Sequence, residues 1–195
     1  MGYIILIFLM STEFFGQSQQ HINPYDFIQD QYFINRTGML ILSCWALGNI
    51  VLSSISLSKA SRQNKAFHQM NLGWNAINAI IAGIGYYGSI KDPATLSILS
   101  ALKEHENMKQ LLLLNTGLDI AYIAGGFYLN EKAKNKSHRF DQLKGFGNSV
   151  IMNGMFLLCF DLIMYFIHKH HGDHSIYQSL TSITLSTKIG FVFNF

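Results

Sequence analysis

The stretch His68–Gly88, HQMNLGWNAINAIIAGIGYYG, decides how the chain is read. Its second half is as apolar as a membrane helix. Its first half carries Asn71, Asn75 and Asn78 at helical spacing, with His68 one turn ahead. Residues three or four apart share one helical face, so these groups form a narrow polar stripe on a segment long enough to cross a bilayer. An unpaired amide in hydrocarbon is costly, and such a stripe turns inward toward partners on other helices. The segment therefore predicts a bundle around it.

Apolar windows near 20 residues recur four times, at 38–57, 71–90, 111–129 and 148–168, each matching a bilayer core of about 30 Å. Of 195 residues, 49% are hydrophobic, 13% are charged and two are proline, which does not suit a disordered chain. The spans LLLLNTGLDIAYIAGGFYL and SVIMNGMFLLCFDLIMYFI lack the wide polar face of a soluble bundle helix. A net charge of +3 without a basic stripe argues against nucleic acid.

Ahead of the first window, Tyr3 to Met10 form an apolar core too short to span, followed by Gly16-Gln17-Ser18, a small-x-small pattern. Residues 1–18 read as a secretory signal, leaving 19–37 as an extracytoplasmic segment, 38–168 as the bundle and 169–195 as an extracytoplasmic tail. Lys59, Arg62 and Lys65 fall between spans one and two. Lys132, Lys134, Lys136, Arg139 and Lys144 fall between spans three and four. The positive-inside tendency makes both connections cytoplasmic, which agrees with both termini lying outside. A bacterial envelope, with the inner membrane favoured, is the expected location.

Each span supplies polar candidates for the interior: Asn49 from the first; His68, Asn71, Asn75 and Asn78 from the second; Asn115 and Asp119 from the third; Asn148, Asn153 and Asp161 from the fourth. They are expected to form a ladder through the bundle. Three roles fit: interhelical hydrogen bonds as glue, a site for a small polar ligand or ion anchored by Asp119, or a proton or ion path using Asp119, Asp161 and His68. Trp74 either walls a pocket or anchors at the interface. Gly48, Ala82, Gly83, Gly85, Gly125, Gly126 and Gly154 suit close helix packing.

The run HKHHGDH, His168–His174, invites a metal, but Gly172 breaks regular geometry and no H-x-x-x-H lies on a defined helix. A solvated interfacial cluster is expected, with no metal and no cofactor. Cys44 and Cys159 read as small buried hydrophobes. No nucleophile elbow or phosphate loop is present, so no enzymatic activity and no catalytic residue are expected.

Self-similarity adds an architecture. Thr37-Gly38 aligns with Thr116-Gly117, and FHQMNLGWN with FDQLKGFGN, which equates Asn75 with Asn148. The pattern FHQMNLGW with Asn75 and Asn78, and the two Thr-Gly starts, resemble an uncharacterised family of small four-span bacterial membrane proteins. The resemblance covers most of residues 30–168 and implies no activity, ligand or catalytic residue. In SITLSTKIGFVFNF, residues 182–195, apolar side chains alternate with polar ones, a period-two pattern. The expected fold is an all-α membrane protein, a four-transmembrane-helix bundle of two repeated helical hairpins with a C-terminal β-like tail. The tail, residues 176–195, is expected to pair with a protein partner's sheet edge or to lie on the membrane surface, and docking to an outer-membrane assembly would make outer-membrane association the alternative location. The first expectation for function is a non-enzymatic accessory or structural subunit; the alternative is a small transporter, channel or ligand sensor around Asp119.

Overall fold

The structure, a computed structural model, describes residues 24–90, 92 and 97–192; the expected signal segment 1–18 lies outside them. Four helices follow in order: α1 Pro24–Ser56, α2 Arg62–Gly88, α3 Ile98–Lys134 and α4 Phe140–Val192, with a short 3₁₀ turn at Ser137–Arg139. Pro24 opens α1, where its fixed φ and missing N–H suit a first turn. Ser61 caps α2 by accepting from the Asn64 N–H, and Ser97 caps α3 by accepting from the Ser100 N–H.

The helices overrun the apolar windows. α1 begins well before residue 38, and α3 begins before residue 111 and continues past residue 129. Lys132, Lys134 and Lys144 accordingly lie on helices instead of in a connecting loop. The β-like tail is corrected: α4 continues as one helix through Val192, and no strand occurs among the described residues. A helix satisfies its backbone internally, whereas a lone strand leaves two open edges. Residues 193–195 lie outside the description.

Three helices are long and apolar enough to cross a membrane, over Tyr25–Ser56, Leu99–Lys134 and Ser137–Asp173. α2 falls short, diluted by its amides and by Arg62 and Lys65. The distribution of side chains is inverted relative to a water-soluble domain. Asn71, Asn75, Asn78, Asp119, Asn153, Asp161 and His168 are buried, while Leu52, Ile55, Ile80, Ile84, Leu114 and Phe166 are well exposed. Cys44 and Cys159 are exposed on that apolar exterior, not buried.

α1 packs on α2, α3 on α4, and α2 on α4, which makes α4 the hub. Glycine permits two of these approaches. A Cβ on Gly147 would meet the Gly126 carbonyl oxygen at 2.7 Å, and one on Gly126 would meet the Gly147 oxygen at 2.8 Å. Gly145 sits against the Gln63 and Phe67 backbone of α2. Close backbone contact at small residues is the packing mode expected in a bilayer. Gly154 and Gly85 are also crowded, by Ile123 and Met39, but Gly48, Gly83 and Gly125 face open space. The Gly145 contact brings the starts of α2 and α4 together, so both basic connections sit at one end of the bundle.

Candidate functional site

Nearest the basic end lies an amide cluster. Asn71 Nδ2 donates to Asn49 Oδ1 at 3.0 Å and to Ser53 Oγ at 2.8 Å, tying α2 to α1. Asn75 Nδ2 donates to Asn153 Oδ1 at 2.9 Å, and Asn153 Nδ2 donates to Asn71 Oδ1 at 2.8 Å, tying α2 to α4. His68 Nδ1 is 3.2 Å from Ser53 Oγ, and Asn49 Nδ2 donates to the Trp45 carbonyl. Five interhelical bonds at about 0.6 kcal/mol each contribute about 3 kcal/mol. Asn148 is apart from this group and accepts from Asn130 Nδ2 at 2.9 Å, across α3 and α4. Trp45 stacks on Phe156 at 3.9 Å beside the cluster.

One turn beyond Asn75, Asn78 faces a cavity of about 520 Å³ to which all four helices contribute. Asp119 from α3 and Asp161 from α4 line it, 2% and 5% exposed. The two carboxyl groups are near enough to interact, and Asn115 lines the cavity beside them. Asp119 Oδ2, Asn78 Nδ2 and Asn35 Oδ1 are buried at this cavity with no partner. The remaining wall is apolar, including Leu112, Leu157, Phe160 and Met164. A mostly apolar pocket with a few convergent polar groups has the form of a small-molecule site, and the volume lies within the usual range of roughly 300–1,000 Å³.

α2 and α3 do not pack backbone to backbone among the described residues. They meet where the Trp74 and Tyr122 rings touch edge to face at 4.8 Å. Both rings line the cavity, as do Ile77, Ile81 and Leu118 on the exposed sides of the gap. Trp74 is thus a wall residue.

At the far end His105 and His168 are fully buried, their rings 5.6 Å apart. His171 stacks on Phe27 at 4.7 Å. The expectation of a solvated histidine cluster is corrected for His168: α4 runs unbroken through Gly172, and this carries His168 inward against α3, while His170 is exposed. No group of three or more His, Cys, Asp or Glu among the described residues is placed to hold a metal ion. The interior is therefore not one even ladder. On α4 the apolar Leu157 and Phe160 separate Asn153 from Asp161, and Met164 separates Asp161 from His168.

Sequence reasoning missed Asn35, Ser53, His105 and Asn130. Asn35 and His105 lie outside the apolar windows, and Asn130 sits just past one. Ser53 is inside a window, but a serine there carries little signal alone. Asn35 does lie one heptad before Leu42, a spacing that keeps both near one helical face.

No curated protein and no solved structure matches the chain. A family model matches residues 41–162, more than half of the chain, and that span holds the amide cluster and both cavity aspartates but stops short of His168. The chain belongs to this family, the family of unknown function DUF6992.

Proposed function

We propose that this chain is a non-enzymatic, membrane-embedded binding protein, a small transporter or ligand sensor, whose site is the cavity at Asp119 and Asp161. The observation that carries this reading is the set of unpartnered buried atoms, Asp119 Oδ2, Asn78 Nδ2 and Asn35 Oδ1, around a space of ligand size. Glue accounts for Asn49, Asn71, Asn75 and Asn153, which are paired with one another even though Asn75 Oδ1 lacks a partner. It does not account for the unpaired polar atoms of residues that line a cavity. The accessory-subunit reading rests on the hydrogen-bonded polar core and on a tail that engages a partner; a helical tail lacks only the edge for a partner's sheet.

The inverted exterior supports four spans in a bilayer, α2 included, because α2 packs on α1 and α4 with Ile80 and Ile84 outward. Basic connections at one end support a cytoplasmic placement of that end, in the inner membrane of a bacterial envelope, with both termini outside. A duplicated hairpin keeps only its sequence correspondences as support: Asn148, aligned with Asn75, pairs with Asn130 of α3, whereas Asn75 pairs with Asn153 of α4.

The test is a thermal-stability screen of small molecules on the purified protein. Compounds should raise the melting temperature by several degrees, and the shift should vanish in Leu118→Trp, which adds bulk at the cavity's mouth between α2 and α3. A screen with no such compound, or shifts that persist in that variant, contradicts the reading.

A further inference from the structure

We propose that the occupant of the cavity is a hydrophobic organic cation bearing one positive charge, admitted through the gap between α2 and α3. The inference rests on the cavity being a ligand site and adds what the ligand must be.

The charge follows from what lines the cavity. Asp119 and Asp161 are there, Tyr122 is the third titratable residue, and no Lys, Arg or His is among the lining side chains. Either carboxylate, when ionised, finds no cationic side chain in the wall to neutralise it. An uncompensated buried charge is costly, and a monocation beside the pair removes that cost. Asp119 Oδ2, buried and without a hydrogen-bond partner, is the acceptor available to it.

The body follows from the rest of the wall. Leucine, isoleucine and methionine dominate it, and Trp74, Tyr122 and Phe160 add aromatic rings, the side chains that attract a cation. A small hydrated ion would leave this apolar surface unfilled. The route follows from the helices: α2 and α3 leave a gap whose sides carry exposed Ile77, Ile81 and Leu118, facing where acyl chains lie. Hydrophobic cations concentrate at and within bilayers, so the gap opens on their reservoir.

Two ions of equal shape and opposite charge make the test. Tetraphenylphosphonium and tetraphenylborate, with neutral triphenylphosphine oxide, are titrated into the purified full chain in detergent by calorimetry. The phosphonium should bind, the borate and the oxide at least tenfold more weakly. Asp119→Asn and Asp161→Asn, each shown to elute as a folded species, should each weaken the phosphonium at least tenfold. Equal binding of all three, abolished by Leu118→Trp, overturns the cation assignment and leaves the cavity as a ligand site. Phosphonium binding that survives both aspartate variants likewise overturns it. Binding of none of the three overturns the cation assignment together with the reading of the cavity on which it rests.

Discussion

Asn75 and Asn153, 78 positions apart in the chain, bond side chain to side chain at 2.9 Å, each with no exposed surface. Asn71 joins them by accepting from both amides. Through Asn71 the group reaches Asn49 and Ser53 on α1, so one set of short polar side chains registers three helices against each other. Shifting α2 along α4 by a turn would break every bond between them. The cluster thus fixes the depth at which Asn78 presents itself to the cavity.

Asn153→Ala should therefore destabilise the bundle by about 1–3 kcal/mol, because Asn71 and Asn75 lose their α4 partner while staying buried. Chemical unfolding in detergent measures this. Asn148→Ala, which removes a half-buried pair with Asn130, should cost less. Equal losses from the two variants would show that burial of the cluster does not set its worth.

The four apolar windows made the helices legible, and the Asn71, Asn75, Asn78 spacing placed three amides on one buried face before any coordinates. Helix length was not legible, because hydropathy reports the thickness of a bilayer and not where backbone bonding stops. Asn35 and His105 sit on helical overhangs for that reason. SITLSTKIGFVFNF misled because short alternation fits a strand, yet Ser182 to Val192 continue the helix that starts at Phe140. Gly145 and Gly147 pack closely although they precede the fourth apolar window, whereas Gly48, Gly83 and Gly125, inside windows, face open space. Only three dimensions tell which side of a helix a glycine occupies.

Gly126→Ala and Gly147→Ala should each destabilise by about 1–3 kcal/mol, since the added methyl meets backbone carbonyls that cannot swing aside. Gly48→Ala and Gly125→Ala, with nothing within 4 Å, should be neutral or slightly stabilising. Melting temperatures of the four variants check the contrast. A uniform response would refute the close α3–α4 approach.

The carboxyl pair predicts a split between two substitutions at one position. Asp119→Asn keeps a donor for Asp161 and should leave folding nearly unchanged. Asp119→Leu strands Asp161 in the cavity and should cost about 3 kcal/mol. Unfolding measurements on both variants decide it; equal stability would mean the two carboxyls do not face each other.

His105 carries two buried ring nitrogens without a hydrogen-bond partner, packed near Phe27 and His168. Replacing such a group by an apolar one removes an unmet desolvation cost. His105→Leu should thus hold stability within about 1 kcal/mol of the parent or raise it. A loss near about 3 kcal/mol in thermal unfolding would reveal a partner for those nitrogens.

The site requires the bundle to sit in a bilayer with the amide face of α2 inward, and α2 is the helix that falls short of a span by composition. A nitroxide scan along residues 71–84 in lipid bilayers, in a chain with Cys44 and Cys159 replaced, measures it directly through collision with dissolved oxygen. Oxygen access should peak at Ile77, Ile80 and Ile84 and fall to minima at Asn71, Asn75, Asn78 and Ala82. Peaks at the asparagines, or water-like access all around the helix, would contradict the account.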